Sequence, residues 1–393
     1  MLFGEHDHMN GRIYLDNAAT TPVDERVLEK MLPYFGVRFG NADSVHSFGR
    51  EAASAVDGAR REIAAMLGVR QSEVFFTSCG TESNNWAIKG VADKICKNPG
   101  KDRIVTSVIE HASVLSSCVA AERCGAKITY LPVKADGAVD PADLEKAMAG
   151  GDVALVSVMA VNNETGVVQP VRELSDIARR GGALFHTDGV QAACSFDLAQ
   201  LCSLSDMMSL SAHKACGPKG AGVLYVRKGT GIGKLMDGGE QERGQRGGTV
   251  NVPAVIGCAA ALCAAADTRD GEARRLASLS ELFLSRISLA GGITVNGQCR
   301  AGGILNVRAD GINDHSLLHL LDIAGVACSS GAACSSGSAE PSHVLLAMGL
   351  TEGEAKGSVR VSFGRTTTEE ETEEAARRFV AAVAEARSRA VEK

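Results

Sequence analysis

At 393 residues, with 45% hydrophobic and 22% charged content, the chain is long enough to bury large cores and too long for one average domain, so two domains are expected. A formal net charge of -6, with both signs spread along the chain, leaves no basic stripe and argues against nucleic-acid binding. The opening MLFGEHDHMNGRIYLD has neither a basic start nor an apolar core, so no secretory signal is read there and a cytoplasmic protein is expected.

In chain order, the first clear element is Glu51 to Leu67. Ala52, Val56, Ala59, Ile63 and Met66 recur at three- and four-residue steps, and Gly68 follows as the usual helix C-cap residue. Strands are expected at Val74 to Thr77, Arg103 to Ser107, Lys127 to Leu131, Val153 to Met159, Ala183 to Thr187, Met207 to Leu210 and Val223 to Val226, mostly with helical segments between. Several are apolar throughout, as a sheet covered on both faces requires. The alternation defines an α/β fold.

Beyond Gly231 comes a Gly-rich stretch, GGEQERGQRGGT, and then the uncharged apolar run Val252 to Ala266. That run contains Pro253 and is shorter than the roughly 18 residues of a membrane span, so it reads as a buried Ala-rich helix. A boundary is placed near residue 255. Residues 16–255 form the expected large domain, and 1–15 with 256–393 a smaller α+β domain with strands at Ile304 to Val307 and Ser358 to Phe363. A last helix opens at Thr368, with Glu369, Glu370 and Glu371 in its first turn. Residues 327–339 are almost wholly Ala, Ser, Gly and Cys. The twelve cysteines include no CxxC pair, which argues against a metal site or a disulfide framework. Cys96, Cys118, Cys258 and Cys263 therefore read as small buried hydrophobes.

Ligands of open α/β sheets collect at the carboxyl ends of the strands. After Val74 to Thr77 stands SCGTES, with a helix beginning near Glu82, where N–H groups and the hydroxyls of Thr81 and Ser83 can meet a phosphate. On that segment alone an ordinary capped helix start is the preferred reading, because capping sequences are commonplace. The other strand ends carry Glu110 and His111; His186, Asp188 and Gln191; and His213 with Lys214. Each alone reads as a structural histidine or a solvated charge. Together they supply what pyridoxal phosphate demands: a lysine for a Schiff base, a carboxylate for the pyridine nitrogen and donors for the phosphate. Lys214, Asp188 and the Thr81 loop fill those roles, and His111 can stack on the ring.

The chain resembles the class V aminotransferases and, within them, the cysteine desulfurases of the NifS and IscS type. The matching motifs run nearly end to end: YLDNAATTP at 14–22, FTSCGTES at 76–83, EHASVL at 110–115, VNNETGVVQP at 161–170, HTDGVQ at 186–191, SAHKACGPKG at 211–220, ERGQRGGT at 242–249, SSGAACSSGSAEPSHV at 329–344 and SVRVSFGR at 358–365. The resemblance implies the PLP-dependent transferase fold type I. It implies that Lys214 bonds to the cofactor, that Asp188 pairs with the pyridine nitrogen and that His111 stacks and serves as proton donor and acceptor. Gln191 and Asn163 would contact the phenolic oxygen, and Thr81, Ser211 and His213 the phosphate. Thr249 would reach the phosphate of a neighbouring subunit, which implies a homodimer. Asn163 and Arg360 would bind the carboxylate of L-cysteine.

By the same resemblance, Cys334, at the end of SSGxAC, is the nucleophile that takes the sulfur as a persulfide; Cys328, just before that motif, is read as structural, with a helper thiol as the alternative. The sulfur would pass to an acceptor protein such as an iron-sulfur scaffold. Ala332, Glu240 and Ala42 depart from the family pattern without removing a catalytic group. A selenocysteine lyase or another class V reaction is the nearest alternative. A non-catalytic iron-sulfur scaffold is the alternative of another class, and cysteines without cluster spacing argue against it.

Overall fold

In the computed structural model, residues 11–97, 100–331 and 340–391 are described. The chain opens with a two-residue strand β1 (Ile13–Tyr14), helix α1 (Glu25–Met31) and helix α2 (Ser47–Leu67). The last starts four residues before the position read from periodicity, because His46 accepts the Gly49 N–H and so caps it. It ends at Gly68 in the left-handed region (φ 66°), as its sequence predicts. Then follow β2 (Val74–Thr77), α3 (Gly80–Lys97), β3 (Arg103–Ser107), α4 (Ala112–Arg123), β4 (Lys127–Leu131), α5 (Pro141–Met148) and β5 (Val153–Ser157). After these come α6 (Val171–Arg180), β6 (Leu184–Asp188), α7 (Leu198–Leu204), β7 (Met207–Ser211) and β8 (Gly222–Val226). Strand β5 stops two residues short of its expected end, since the Met159 N–H turns to the Glu110 carboxyl.

These strands form one seven-stranded sheet in the order β2-β8-β7-β6-β5-β3-β4, in which only β8 runs antiparallel to its neighbours. Both faces are covered. On one side α2, α5, α6 and α7 bury residues such as Ile63, Leu144, Leu174 and Leu201 against Val105, Val156, Phe185 and Leu210. On the other, α3 and α4 bury Trp86, Ile88, Val114 and Cys118 against Ile104, Leu155 and Leu224. Because the sheet is nearly all parallel, β2, β3, β6 and β7 deliver their carboxyl ends to a single edge.

A kinked four-residue turn, α8 (Gln241–Gly244), precedes the 36-residue helix α9 (Val252–Ile287). The helix extends well beyond the apolar run that predicted it, because Leu276, Leu279, Phe283 and Ile287 continue at three- and four-residue steps into a second core. Its length and composition would suffice to cross a membrane. In the fold, however, Val255, Cys258, Ala259, Leu262 and Ala265 are buried in the first core. Then come β9 (Ile293–Val295), β10 (Ile304–Ala309), α10 (Ser316–Ile323), β11 (Val326–Ala327), α11 (His343–Ala347), α12 (Glu352–Lys356), β12 (Ser358–Ser362) and α13 (Glu369–Val391); all but α11 and α12 build the second core, whereas Val344, Leu345 and Ala355 of those two helices pack with Ile109 in a small separate cluster. Strands β12-β10-β9 make an antiparallel sheet, and β1 returns to pair in parallel with β11, burying Ile13 and Leu15 there. The short strands β1, β9 and β11 carry no periodicity a sequence reading can use.

Candidate active site

Between the two cores a cavity opens at the carboxyl edge of the large sheet. It is lined by Thr81, His111, Asn163, Asp188, Gln191, Ser211, His213, Lys214 and Arg360. Nine of the side chains singled out in the sequence therefore meet at one place.

Lys214 ends a 3-10 turn directly after β7. Its ammonium donates to the carbonyls of Ala18 (2.5 Å) and Ala19 (2.6 Å), so it is anchored by backbone from the loop after β1. Asp188 closes β6. Its Oδ1 accepts the Val190 N–H at 2.9 Å and its Oδ2 accepts an amide N–H of Asn84 at 2.6 Å. Gln191 reaches back to the Ala18 carbonyl.

At the end of β2 the chain enters α3 through Cys79, Gly80 and Thr81. Helix N-terminal amides there have no intrahelical acceptor and favour an anion. A Cβ on Gly80 would come within 2.6 Å of the Val190 side chain, so glycine keeps this wall open. Across the cavity the Ser211 hydroxyl is buried with no hydrogen-bond partner among the described residues. Burial, with Lys214 and Lys219 adding to it, pushes the His213 ring down to about 4.

His111 caps α4, its Nδ1 accepting the Ser113 N–H at 3.1 Å. Beneath it Glu110 is fully buried, with Ser107 Oγ at 2.6 Å and the Met159 N–H on both carboxylate oxygens at 3.1 Å. Burial raises its carboxyl to about 8, and Asp188 adds to the rise. His186 lies outside the cavity lining. It sits inside the sheet, bonded to Ser157 and Ser209, which is the structural role its isolated position suggests.

Arg360 is central in β12 and only 1% exposed. Its guanidinium donates to Asp16 Oδ1 (2.6 Å) and to the Asn163 carbonyl (2.9 Å), while Nε has no partner among the described residues. Asp16, Asn84 and Ser113 were not singled out from the sequence. They stand inside quoted or adjacent motifs, but only the fold reveals whom they touch.

Thr249 is exposed and does not line the cavity of its own chain. It follows a strained turn in which Glu242 (φ 46°) and Arg243 (φ 59°) adopt left-handed backbone. That turn is pinned by Glu242, which takes Arg60 bidentately at 2.7 and 2.8 Å and the Phe76 N–H at 2.9 Å, and by Arg243, stacked 4.1 Å over Phe75. Cys334 and Ala332 lie outside the described residues. The flanks of their segment are placed: Ser329 exchanges two backbone hydrogen bonds with Arg360, and Ser342 bonds Glu164 Oε2 at 2.5 Å. A Cβ on Gly331 would also lie 2.7 Å from that Glu164 oxygen. Both stems thus converge on Glu164, next to Asn163. Burial and Asp16 push the Cys328 thiol up, which keeps it protonated and unreactive. Burial likewise raises Cys118 and Cys258 to about 12 and Cys263 to about 11.

A doubly covered sheet with a lysine, a carboxylate and an anion cradle at one edge defines a transferase of PLP fold type I. The chain belongs to the class-V aminotransferase family, whose model matches residues 13–374. It is 44% identical over 366 residues to "Cysteine desulfurase IscS" of Dictyoglomus turgidum (strain DSM 6724 / Z-1310), covering 92% of each chain. It is 46% identical over 376 residues to the protein of that name in Anaeromyxobacter sp. (strain Fw109-5), covering 94% of this chain and 91% of the other. Among solved structures it is similar to a "NIFS-LIKE PROTEIN" with a TM-score of 0.87 and 38% identity, over 94% of this chain and 98% of that one.

Proposed function

We propose that this protein is a pyridoxal-phosphate-dependent cysteine desulfurase that takes sulfur from L-cysteine as a persulfide on Cys334, leaves L-alanine and passes the sulfur to an acceptor protein such as an iron-sulfur scaffold. The observation that carries the reading is the meeting of Lys214, Asp188, Thr81, Ser211 and Arg360 around one cavity. The cavity fits the cofactor on its own chemistry. The unpartnered Ser211 hydroxyl, Thr81 and the α3 amides suit the phosphate, and the Gly80 gap leaves room for it. Asp188 is poised to accept from a protonated ring nitrogen. When bound, pyridoxal phosphate supplies an electron sink for charge developing at the substrate Cα.

The chain's own groups do the rest. Lys214 is held where its amine can bond to the cofactor and carry the α-proton at Nζ. Arg360 offers a planar guanidinium whose Nε still lacks a partner among the described residues, suited to the substrate carboxylate beside Asn163. His111 covers the site beside Asp188. The segment bearing Cys334 springs from stems bonded to Arg360 and Glu164, at the rim of that carboxylate subsite.

The homodimer is part of the same proposal. Phe35, Val37, Phe39, Val45 and Phe48 are all more than half exposed in one stretch of chain, more contiguous apolar surface than a lone chain normally leaves uncovered. Gln241 ties this stretch, through Asp43 at 2.5 Å, to the pinned turn before Thr249. A second copy seated here would receive Thr249 into its own cavity.

The test incubates the purified protein, loaded with pyridoxal phosphate, with cysteine and a thiol reductant. Equimolar alanine and sulfide are expected. Lys214→Ala abolishes both products, and Cys334→Ser keeps the cofactor's absorbance change on adding cysteine but loses sulfide. Cys328→Ser retains most of the activity. Keto-acid-dependent amino transfer, or turnover restricted to selenocysteine, overturns the reading.

A further inference from the structure

His111 is linked to Asp188 by a relay of two residues, Ser113 against the ring and Asn84 between Ser113 and the carboxylate. Its Nδ1 is an acceptor, because the Ser113 backbone N–H can only donate to it. The Ser113 hydroxyl also lies 2.8 Å from Nδ1. That hydroxyl accepts an amide N–H of Asn84 at 2.9 Å, which directs its own hydrogen toward Nδ1. The other amide hydrogen of Asn84 goes to Asp188 Oδ2 at 2.6 Å. Asn84 and Ser113 are 1% and 5% exposed, so water does not readily replace these partners.

We propose that Ser113 and Asn84 are positioning residues that hold His111 as a neutral ring with its proton on Nε2, so that it serves the reaction as a hydrogen-bond donor and not as a cation giving up a proton. This rests on the desulfurase reading for the reaction it serves, and it narrows the role that the family resemblance implies for this histidine. Protonating Nδ1 would set its new N–H against the Ser113 N–H and force the Ser113 hydroxyl to turn away from it. The position of His111 as cap of α4 adds to this, since the positive end of a helix disfavours a cation there. The charged groups around the ring pull both ways. Asp188 and Glu164 favour the imidazolium and Lys214 and His343 oppose it, with burial the largest influence and the net effect a lowered pKa. A neutral imidazole near a helix N-terminus is a known way to polarise a reacting group without a full charge. The same Asn84 amide also donates to Asp188 Oδ2, so one side chain orients both the Ser113 hydroxyl and the carboxylate.

The experiment labels the histidines with nitrogen-15 in the full chain, with and without pyridoxal phosphate, and follows the ring nitrogens by NMR from about pH 6 to 8. His111→Gln identifies the His111 signals among the nine histidines. In wild type, Nε2 should carry the proton and Nδ1 the lone pair throughout. Ser113→Ala, which removes one of two donors to Nδ1, should raise the His111 pKa by about one pH unit, the equivalent of one hydrogen bond, and move the acid limb of the sulfide-release profile with it. Ser113→Thr should restore the wild-type titration. An imidazolium or an Nδ1–H ring in wild type at neutral pH overturns the proposal whatever the variants do. So does a titration unmoved by Ser113→Ala. Failure to release sulfide from cysteine with the expected NMR signature would instead refute the desulfurase reading and leave the tautomer assignment standing.

Discussion

Replacing Glu110 with glutamine should stabilise the protein increasingly as the pH rises. The carboxyl is fully buried, and burial lifts it from an ordinary 4.5 to about 8. Between those values the folded chain holds a proton that the unfolded chain has lost, so wild-type stability falls as pH rises through the window and levels off above about 8. At about 1.4 kcal/mol per pH unit, the full gap is on the order of 5 kcal/mol. Glutamine has nothing to titrate and keeps the local contacts, its carbonyl accepting the Met159 N–H and its amide facing Ser107 Oγ. Urea unfolding of both proteins from about pH 5 to 9 should therefore give curves that converge at the acid end and separate by several kcal/mol at the alkaline end. Parallel curves would refute the reasoning, because they would mean that Ser107 and Met159 suffice to hold Glu110 ionised in the fold.

His186 should show the opposite dependence: its buried ring is depressed from 6.5 to about 3, so its contribution is present above 6.5 and lost as pH falls toward 3, and His186→Asn should move the acid-unfolding midpoint downward. Glu242→Ala should cost about 3 kcal/mol, since it strands the buried Arg60 guanidinium and the Phe76 N–H together; an unchanged urea midpoint would contradict it. Gly80→Ala should weaken pyridoxal phosphate binding about tenfold through the 2.6 Å clash with Val190, and the double change with Val190→Ala should recover the affinity in equilibrium dialysis.

The strands of the large sheet were legible because both their faces are buried, which makes them continuous apolar runs such as Val153 to Ser157. Asp188 and Lys214 were legible because strand ends are where such folds place polar groups. The start of α2 was not, since its cap is a histidine, a residue outside the usual capping set. Helix α9 was read at less than half its length because its two halves serve different cores: the first is apolar on most sides, the second only on one face. Asn84, Ser113 and Asp16 escaped notice for another reason. Asn84 and Asp16 act through Asp188 and Arg360, each more than a hundred residues away, and Ser113, though two residues from His111, joins the relay only through Asn84, so no local pattern records these contacts.

The cage around the Lys214 amine has a bearing on how the protein is made. Its two carbonyls come from Ala18 and Ala19, about two hundred residues earlier in the chain, and the same short segment fastens Asn17 to the Ser362 carbonyl and Asp16 to Arg360. A ribosome-bound chain that has emerged only as far as β8 already possesses the lysine, the aspartate and the phosphate loop, yet lacks the strands that hold residues 16–19 in place. Capture of the vitamin-derived cofactor in its final setting is thus a late event in biogenesis, one that waits for β11 and β12 to be synthesised.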